Sequence, residues 1–278
     1  MMTIVITGAA GFLGRHLVKH PGFAGKRVIP VSRHGRPGFV QVADYRQSPE
    51  GDLLIHLAEE PDRGLVNKYS ERYVQDAAKL VANLANRANQ RIIYASSGAV
   101  YGDEREEPCK VGMPVGATDA YSRAKLQNER IVLDAGGCVV RFSNLVGLGM
   151  SPNNVLSDVI RQVPGKGPLY VRDDGPVRDF LSVRDAVSAV ILLANKGATG
   201  IFNVGSGIGT SVRKLAEMAL AHGGDGGREI IASSPSLKRS VNVLDISETT
   251  NNLGWTPLVS IQEQLAELFL NKVFLVDD

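Results

Sequence analysis

The chain has 278 residues, of which 44% are hydrophobic and 22% are charged, and its formal net charge is +2. A chain of this size can bury a large core, which suits one α/β domain with a small appendage. The near-neutral charge, without a basic run, disfavours nucleic acid as a partner, and no apolar stretch approaches the length of a membrane helix. Two cysteines make neither a disulfide framework nor a metal site. Because the first predicted strand begins at residue 3, we expect no signal or transit peptide and a cytoplasmic location.

The first predicted element is a buried parallel strand over residues 3–7, a β-branched apolar run that ends at a glycine-rich turn. Gly8, Gly11 and Gly14 follow, and residues 15–19 are predicted to be helical. Strand, glycine turn and helix are the context in which this glycine spacing indicates a dinucleotide site. Gly8 would permit the tight turn, Gly11 would let the backbone approach a pyrophosphate, and Gly14 would let the helix pack on the strand. The pyrophosphate would then face the free N–H groups at the helix N-terminus.

Strands and helices continue to alternate as far as residue 142. The predicted strands cover residues 26–32, 39–43, 52–58, 91–97 and 138–142, and the longer helices cover residues 66–88 and about 120–134. This order predicts an α/β fold, a Rossmann-type doubly wound parallel sheet with a small C-terminal α/β substrate-binding lobe. We predict a dinucleotide-binding domain over residues 1–150 and a mainly substrate-binding lobe over residues 151–278, in which residues at about 177–205 return to the main domain.

Tyr121 and Lys125 are four residues apart on a predicted helix, so both side chains lie on one face. A lysine ammonium beside a phenol favours the phenolate, which suits a tyrosine to general acid/base catalysis. The alternative is a half-buried tyrosine beside a solvated lysine, because the same spacing is common by chance. Ligands of such sheets bind at the carboxyl ends of the strands. The residues at these ends should line one crevice: Thr7, Ser32, Ala58, Ser97 and Ser143.

Together these residues resemble the extended short-chain dehydrogenase/reductase family, the NAD(P)-dependent nucleotide-sugar epimerases and dehydratases. The resemblance runs along almost the whole chain. The segments that carry it are TGAAGFLG at 7–14, HLA at 56–58, YASSGAVYG at 94–102, YSRAK at 121–125, RFSNLVG at 141–147, VRDF at 177–180, FNVGS at 202–206 and LGWTP at 253–257.

The resemblance implies roles for individual residues. Tyr121 would be the acid/base, Lys125 would hold the nicotinamide ribose, and Ser97 would bind the substrate oxygen that becomes a carbonyl. Contacts with a nucleotide-sugar substrate are implied for Ser97, Asn144, Arg178 and Arg239. A guanidinium fork at position 178 suits the substrate diphosphate, although an ion pair with Asp179 or Asp174 is the alternative for Arg178.

The resemblance also implies a set of cofactor contacts. They come from the glycine turn, the ends of two strands and the helix of the tyrosine: Gly8, Gly11, Phe12, Leu13, Gly14, Ser32, Arg33, Asp44, Leu57, Ala58, Tyr121 and Lys125. NAD-using members end the second strand with an acidic residue, whereas here Ser32 and Arg33 stand there. Because a cation suits a 2′-phosphate, we expect NADP, with NAD as the alternative if Arg33 only stacks on adenine.

Two further features depart from the family pattern. Gly98 and Ala99 replace the Asp-Glu pair with which dehydratases transfer protons, so dehydration by that mechanism is not expected. Glu59 and Glu60 follow a strand where the family more often has small residues, and we interpret them as a solvated loop, with a position facing the cofactor crevice as the alternative. His56 is interpreted as a packed strand residue rather than a catalytic one.

These observations predict an NAD(P)-dependent epimerase or 4-ketoreductase that acts at C4 of a nucleotide-activated sugar. The alternatives are a reductase of a non-nucleotide ketone and a non-catalytic NADP-sensing protein. The family implies a homodimer through the helices at 66–88 and 120–134. Neither a metal nor a membrane partner is expected.

Overall fold

The computed structural model describes residues 1–271 and is built around a seven-stranded sheet. The thirteen strands of the described chain are β1 (Thr3–Thr7), β2 (Arg27–Ser32), β3 (Val40–Gln41), β4 (Leu53–His56), β5 (Arg91–Ser97), β6 (Cys138–Phe142), β7 (Asn144–Val146), β8 (Leu169–Val171), β9 (Val177–Ser182), β10 (Gly200–Val204), β11 (Gly209–Ser211), β12 (Ile230–Ala232) and β13 (Val241–Asn242).

The main sheet has the order β10-β6-β5-β4-β1-β2-β3, and its strands are all parallel. The eight α-helices described are α1 (Phe12–Val18), α2 (Arg63–Ala85), α3 (Ala120–Asp134), α4 (Val155–Arg161), α5 (Val183–Lys196), α6 (Val212–His222), α7 (Ser247–Leu253) and α8 (Ile261–Leu270). The order of strands reverses between β1 and β4, so the carboxyl ends of these two strands flank the crevice in which such sheets bind ligands.

The main sheet is covered by helices on both faces. Ile4 and Ile6 of β1 belong to the core beneath α1 and α5, whereas Val5 belongs to the core beneath α2 and α3. This alternation follows from the period of two along a strand, and burial of both faces explains why the middle of β1, residues 4–6, is apolar.

A second core lies beyond the main sheet. Helices α4, α6 and α8 pack there around residues such as Leu156, Leu215 and Leu268, close to the parallel pair β8 and β12. Strand β9 forms a smaller sheet with β7, β11 and β13. No helix within residues 1–271 combines the length and apolar character needed to cross a membrane.

The prediction of a Rossmann-type sheet is confirmed. The predicted bounds of β6 are those observed, but the helix predicted at residue 66 already begins at Arg63. The reason is local, since the Asp62 carboxylate accepts a hydrogen bond from the Leu65 N–H at 3.0 Å and caps that helix. This helix is also interrupted at Ser70, where φ is 53° and ψ is −134°.

Candidate active site

The glycine turn after β1 is pressed against the end of β4. Gly8 has φ of +68°, and a Cβ at this position would lie 2.7 Å from the backbone carbonyl carbon of Leu57. A Cβ on Gly14 would lie 2.6 Å from Cα of Ala9, whereas one on Gly11 would lie 3.1 Å from the Gly8 oxygen. Side chains at the first and third glycines would therefore fill space that the turn needs, which fits a loop shaped for close approach of a dinucleotide.

The far end of the predicted cofactor site lies after β2. The buried Ser32 hydroxyl accepts a hydrogen bond from the His34 N–H at 3.1 Å, and the Arg33 guanidinium lies 5.6 Å from the centre of the Tyr45 ring. Asp44, another predicted cofactor contact, already pairs with Arg46 at 2.5 Å, and hydrogen bonds from Arg46 hold the pKa of this carboxyl below its ordinary value. Arg33 is therefore the cation at this edge that a 2′-phosphate could meet.

Tyr121 lies in the first turn of α3, which is tied to the start of α2. Asp119 caps the helix by accepting from the Ser122 N–H at 2.8 Å, and its carboxylate also binds Arg63 and Asn67. The side-chain Oδ1 of Asn67 accepts from the Tyr121 N–H at 3.1 Å. Burial alone would raise the pKa of Asp119, but these hydrogen bonds hold it well below its ordinary value.

Lys125 is buried beside Tyr121 rather than solvated. Its ammonium lies 5.7 Å from the centre of the Tyr121 ring and donates to the Ala95 carbonyl oxygen at 2.8 Å. Ala95 is two residues before Ser97 on β5, so the lysine lies between the tyrosine and the strand of the predicted serine. The helical spacing therefore brings together the pair predicted from sequence, and the solvated-lysine alternative is wrong.

Glu59 departs from the expectation of a solvated loop, and for this residue the interpretation is wrong. Its side chain is only 7% exposed and forms an ion pair with Lys125 at 2.7 Å. The Tyr94 hydroxyl donates to both carboxylate oxygens at 2.9 Å, and the Asn128 amide donates at 2.7 Å. Burial alone would raise the pKa of Glu59, but the charge of Lys125 lowers it below its ordinary value. Asn128 is three residues after Lys125 on α3, a spacing that points to one face, and this was the signal available in the sequence.

The two serines at the end of β5 point to opposite sides of the sheet. Ser96 donates to Glu129 at 2.5 Å, and Glu129 forms a buried ion pair with Arg141 at 2.6 Å. The Ser97 hydroxyl accepts from the Ala99 N–H at 3.2 Å, where the chain enters a 3₁₀ turn. Ser96 thus belongs to the structural network behind the strand, while Ser97 stands at its carboxyl end.

His56 is packed inside β4. Its Nδ1 shares a 2.7 Å hydrogen bond with the Thr7 hydroxyl, and its ring stacks on Tyr94 with centroids 6.2 Å apart. Burial lowers the pKa of His56 to about 4, so the ring is neutral at pH 7.

The predicted substrate residues lie around β9. Arg178 donates to the Ser240 carbonyl at 3.0 Å and to its hydroxyl at 2.8 Å. Its carboxylate neighbour is Asp103 at 3.8 Å, rather than Asp179 or Asp174 as the alternative proposed. The Asn144 amide donates to the carbonyl oxygen of Asp179 at 3.0 Å, which places it beside the same strand.

Asp103 also lies 3.6 Å from Arg63, so it stands between two guanidinium groups. A cavity of about 440 Å³ opens at this point, lined by Tyr101, Gly102, Asp103, Glu104, Arg105, Gly116 and Thr118. Arg239 is exposed on the neighbouring segment and donates to the Glu106 carbonyl oxygen at 3.4 Å. The structure thus places Asn144 and Arg178 on two neighbouring strands, β7 and β9, and leaves Arg239 at the surface beside them.

A match to a protein-family model identifies the family of this chain. The model of the NAD dependent epimerase/dehydratase family matches residues 4–205, which is most of the chain. The chain belongs to this family. The resemblance found in the sequence is therefore confirmed, and the chain is an enzyme of the extended short-chain dehydrogenase/reductase type.

Characterised members of the family are similar along the whole chain. UDP-glucuronic acid decarboxylase 1 of Arabidopsis thaliana is 25% identical over 320 residues, covering 100% of this chain and 72% of that protein. dTDP-L-rhamnose 4-epimerase of Burkholderia thailandensis is 25% identical over 339 residues, covering 95% and 93%.

Solved structures of the family superimpose closely. UDP-glucose 4-epimerase of Thermotoga maritima with UDP-glucose has a TM-score of 0.84 at 23% identity, covering 98% of this chain and 99% of that one. RMD from Pseudomonas aeruginosa complexed with NADPH has a TM-score of 0.84 at 25% identity, covering 99% of both chains. The family uses a nicotinamide cofactor, and its structures hold either NADPH or NAD.

Proposed function

We propose that this enzyme uses NADP to exchange hydride at C4 of a nucleotide-activated sugar, as a 4-epimerase or a 4-ketoreductase. The observation that carries the proposal is the buried Lys125 ammonium beside Tyr121, at the edge of the sheet where β5 ends at Ser97. The same edge holds the tight turn at Gly8. Proton-transfer residues and a dinucleotide loop therefore share one crevice.

The residues around the glycine turn fit a dinucleotide. Gly8, Gly11 and Gly14, with Leu57 and Ala58 opposite them, would hold its pyrophosphate and ribose near β1 and β4. A bound nicotinamide would supply or accept the hydride at C4 of the sugar. At the other end, the guanidinium of Arg33 would bind the 2′-phosphate that distinguishes NADP from NAD.

Tyr121 would move the proton of the C4 oxygen. In one direction its phenolate takes the proton from the C4 hydroxyl, and in the other its phenol returns the proton to the carbonyl oxygen. The Ser97 hydroxyl would donate a hydrogen bond to that oxygen and fix its position. The Lys125 ammonium would place a positive charge beside the tyrosine.

Residues 151–278 would mainly bind the substrate, while residues 1–150 would mainly bind the cofactor. The Arg178 guanidinium is fixed by Ser240 and is 22% exposed, so it can present a positive charge to a diphosphate. Asn144 and Arg239 would add contacts on either side. The charge and the fork geometry of Arg178 support a nucleotide-activated substrate over an uncharged ketone.

We further propose a homodimer formed by the outer faces of α2 and α3. Two apolar side chains of α2, Leu65 and Tyr69, are 41% and 60% exposed and lie four residues apart on one face. Size-exclusion chromatography with light scattering measures the assembly, and a monomer at micromolar concentration would contradict it.

Gly98 and Ala99 support hydride exchange without dehydration. Neither side chain can transfer a proton, and a Cβ on Gly98 would lie 2.9 Å from Leu244 and 3.3 Å from the Asn242 oxygen. A side chain at position 98 would require Leu244 and Asn242 to shift, and Tyr121 would be the residue that moves protons at the sugar.

Purified enzyme incubated with a panel of nucleotide-sugars and their 4-keto forms, with and without added NADPH, tests the proposal. Turnover without net cofactor consumption would identify an epimerase, and stoichiometric consumption would identify a reductase. Tyr121→Phe should lower turnover about 10²- to 10⁴-fold, while Tyr170→Phe, at an exposed tyrosine of the lobe, should not. Normal turnover by Tyr121→Phe would refute the acid/base role. If no nucleoside diphosphate competed with the substrate, a non-nucleotide ketone would be indicated.

A further inference from the structure

An ion pair is buried beneath the proposed acid/base. The side chains of Glu59 and Lys125 are 7% and 8% exposed, and their charged atoms are 2.7 Å apart. A carboxylate in such a place is costly unless it is paired and hydrogen-bonded. Here the carboxylate is both, so the pair is a defined part of the site.

The carboxylate of Glu59 is fixed from two elements. Tyr94 of β5 donates to both oxygens at 2.9 Å, and Asn128 of α3 donates to one of them at 2.7 Å. With the ammonium of Lys125, three donors surround it. The side chain therefore has one position, and it holds the ammonium in one position as well.

This arrangement changes the charge that Tyr121 meets. A lone ammonium 5.7 Å from the ring would strongly favour the phenolate. With the carboxylate 2.7 Å from that ammonium, the two charges largely offset each other and their combined field falls off faster with distance. Glu59 therefore weakens the effect of Lys125 on the tyrosine.

The other titratable groups around the pair carry no charge at pH 7 or are themselves paired. Burial raises the pKa of Tyr73 on α2 to about 12 and raises the pKa of Tyr94 on β5 well above its ordinary value. Burial lowers the pKa of His56 on β4 to about 4. Arg63, whose charge reaches Tyr121, is bound by Asp119 and Asp103. Glu59 is thus the carboxylate in direct contact with the lysine.

We propose that Glu59 is a positioning residue of the acid/base pair: it holds the Lys125 ammonium in place and offsets its charge, so that Tyr121 releases its proton at a higher pH than the lysine alone would allow. The inference rests on the proposed role of Tyr121. A purely structural ion pair is the competing explanation, and the molecule contains a matched example of one. Glu129 and Arg141 are each 4% exposed and lie 2.6 Å apart, with Glu129 on the same helix as Lys125.

Tyrosinate absorbance in the near ultraviolet, followed as pH is raised, tests the proposal directly. The signal of Tyr121 is isolated by subtracting the titration of Tyr121→Phe, in the wild-type background and in each variant. In Glu59→Gln we expect the Tyr121 midpoint to fall by about 1 to 2 pH units, and the pH–rate profile to move in the same direction. In Glu129→Gln we expect the protein to be less stable but the Tyr121 midpoint to be unchanged. An unmoved midpoint in Glu59→Gln, or an equal shift in Glu129→Gln, would overturn the proposal.

Glu59→Asp is the second variant, in case Glu59→Gln does not fold. It keeps the charge but withdraws the carboxylate from Lys125 by one methylene, so the midpoint should lie between those of the wild type and Glu59→Gln. If only the Asp variant folds, a midpoint at or above the wild-type value would contradict the proposal.

The titration needs no substrate, so its result tests the role of Glu59 separately from the proposed function. Expected midpoints without turnover of any nucleotide-sugar would refute the function and leave the role of Glu59 standing. Turnover that depends on Tyr121, with a Tyr121 midpoint that does not change in the Glu59 variants, would support the function and refute the role of Glu59.

Discussion

Replacement of Gly14 by alanine should destabilise the protein although alanine is the better helix former. Gly14 lies within α1, where alanine is favoured over glycine by about 1 kcal/mol. The new Cβ, however, would lie 2.6 Å from Cα of Ala9, and the backbone there is held because the Ala9 N–H donates to the Val31 carbonyl oxygen at 3.3 Å, two residues after β1. Overpacking of this kind costs about 3 kcal/mol at the upper end of its usual range. We expect a net loss of about 2 kcal/mol, the difference between the two effects.

Thermal unfolding with matched alanine variants measures this effect. For this chain of 278 residues, a loss of about 2 kcal/mol corresponds to a fall in Tm of about 3–4 °C. Gly112→Ala is the control, because a Cβ there meets nothing within 4 Å, and it should stay within about 0.5 kcal/mol of the wild type. Gly11→Ala, where a Cβ would be 3.1 Å from the nearest atom, should fall between them. NADP(H) affinity should weaken in the Gly11 and Gly14 variants and stay unchanged in the Gly112 variant. Equal Tm values for the Gly14 and Gly112 variants would refute the reasoning.

Three further predictions concern charged groups. Lys125→Met should lower the free energy of unfolding in urea by about 3–5 kcal/mol, because it leaves the Glu59 carboxylate buried without a cation. The double variant with Glu59→Gln should recover most of this stability but no activity. An equal loss of stability in the double variant would contradict the pairing. His56 has a folded-state pKa of about 4, below the value of about 6.5 in the unfolded chain, so the stability it contributes is present above pH ~6.5 and is lost as pH falls towards 4. His56→Gln should remove up to about 1.4 kcal/mol per pH unit from the slope in this window, and an unchanged slope would show that His56 is already protonated in the fold. Arg33→Ala should weaken NADP binding about 10- to 100-fold while leaving NAD binding nearly unchanged; equal losses for both cofactors would indicate that Arg33 only stacks on adenine.

The parts of the fold that could be predicted are those with a strong local signal. The strand at Cys138–Phe142 is a short, mainly apolar run, and the glycine turn directly follows a β-branched run, so both were placed correctly. The start of α2 was placed three residues late because a single carboxylate, Asp62, decides it. Capping of this kind depends on one side chain and leaves no periodic pattern.

Part of the candidate site could likewise be predicted from the sequence, and part could not. Tyr121 and Lys125 share a helix, so their spacing predicted their proximity. Glu59 was misjudged because its partners are distant in the chain: Tyr94 is 35 residues away and Lys125 is 66 residues away. A glutamate after a strand is solvated in most proteins, and only the packing of α3 against β4 and β5 buries this one.

The last strand of the main sheet constrains how the protein can be made and divided. Strand β10 pairs with β6, and Phe202 and Val204 join Ile4 and Ile6 in one core together with residues of α5. A ribosome must therefore complete residue 204 before the nucleotide-binding sheet can close, although the glycine turn leaves the exit tunnel almost 200 residues earlier. A fragment cut at residue 150 would expose the edge of β6 and half of an apolar face, and we expect it to aggregate rather than bind nucleotide.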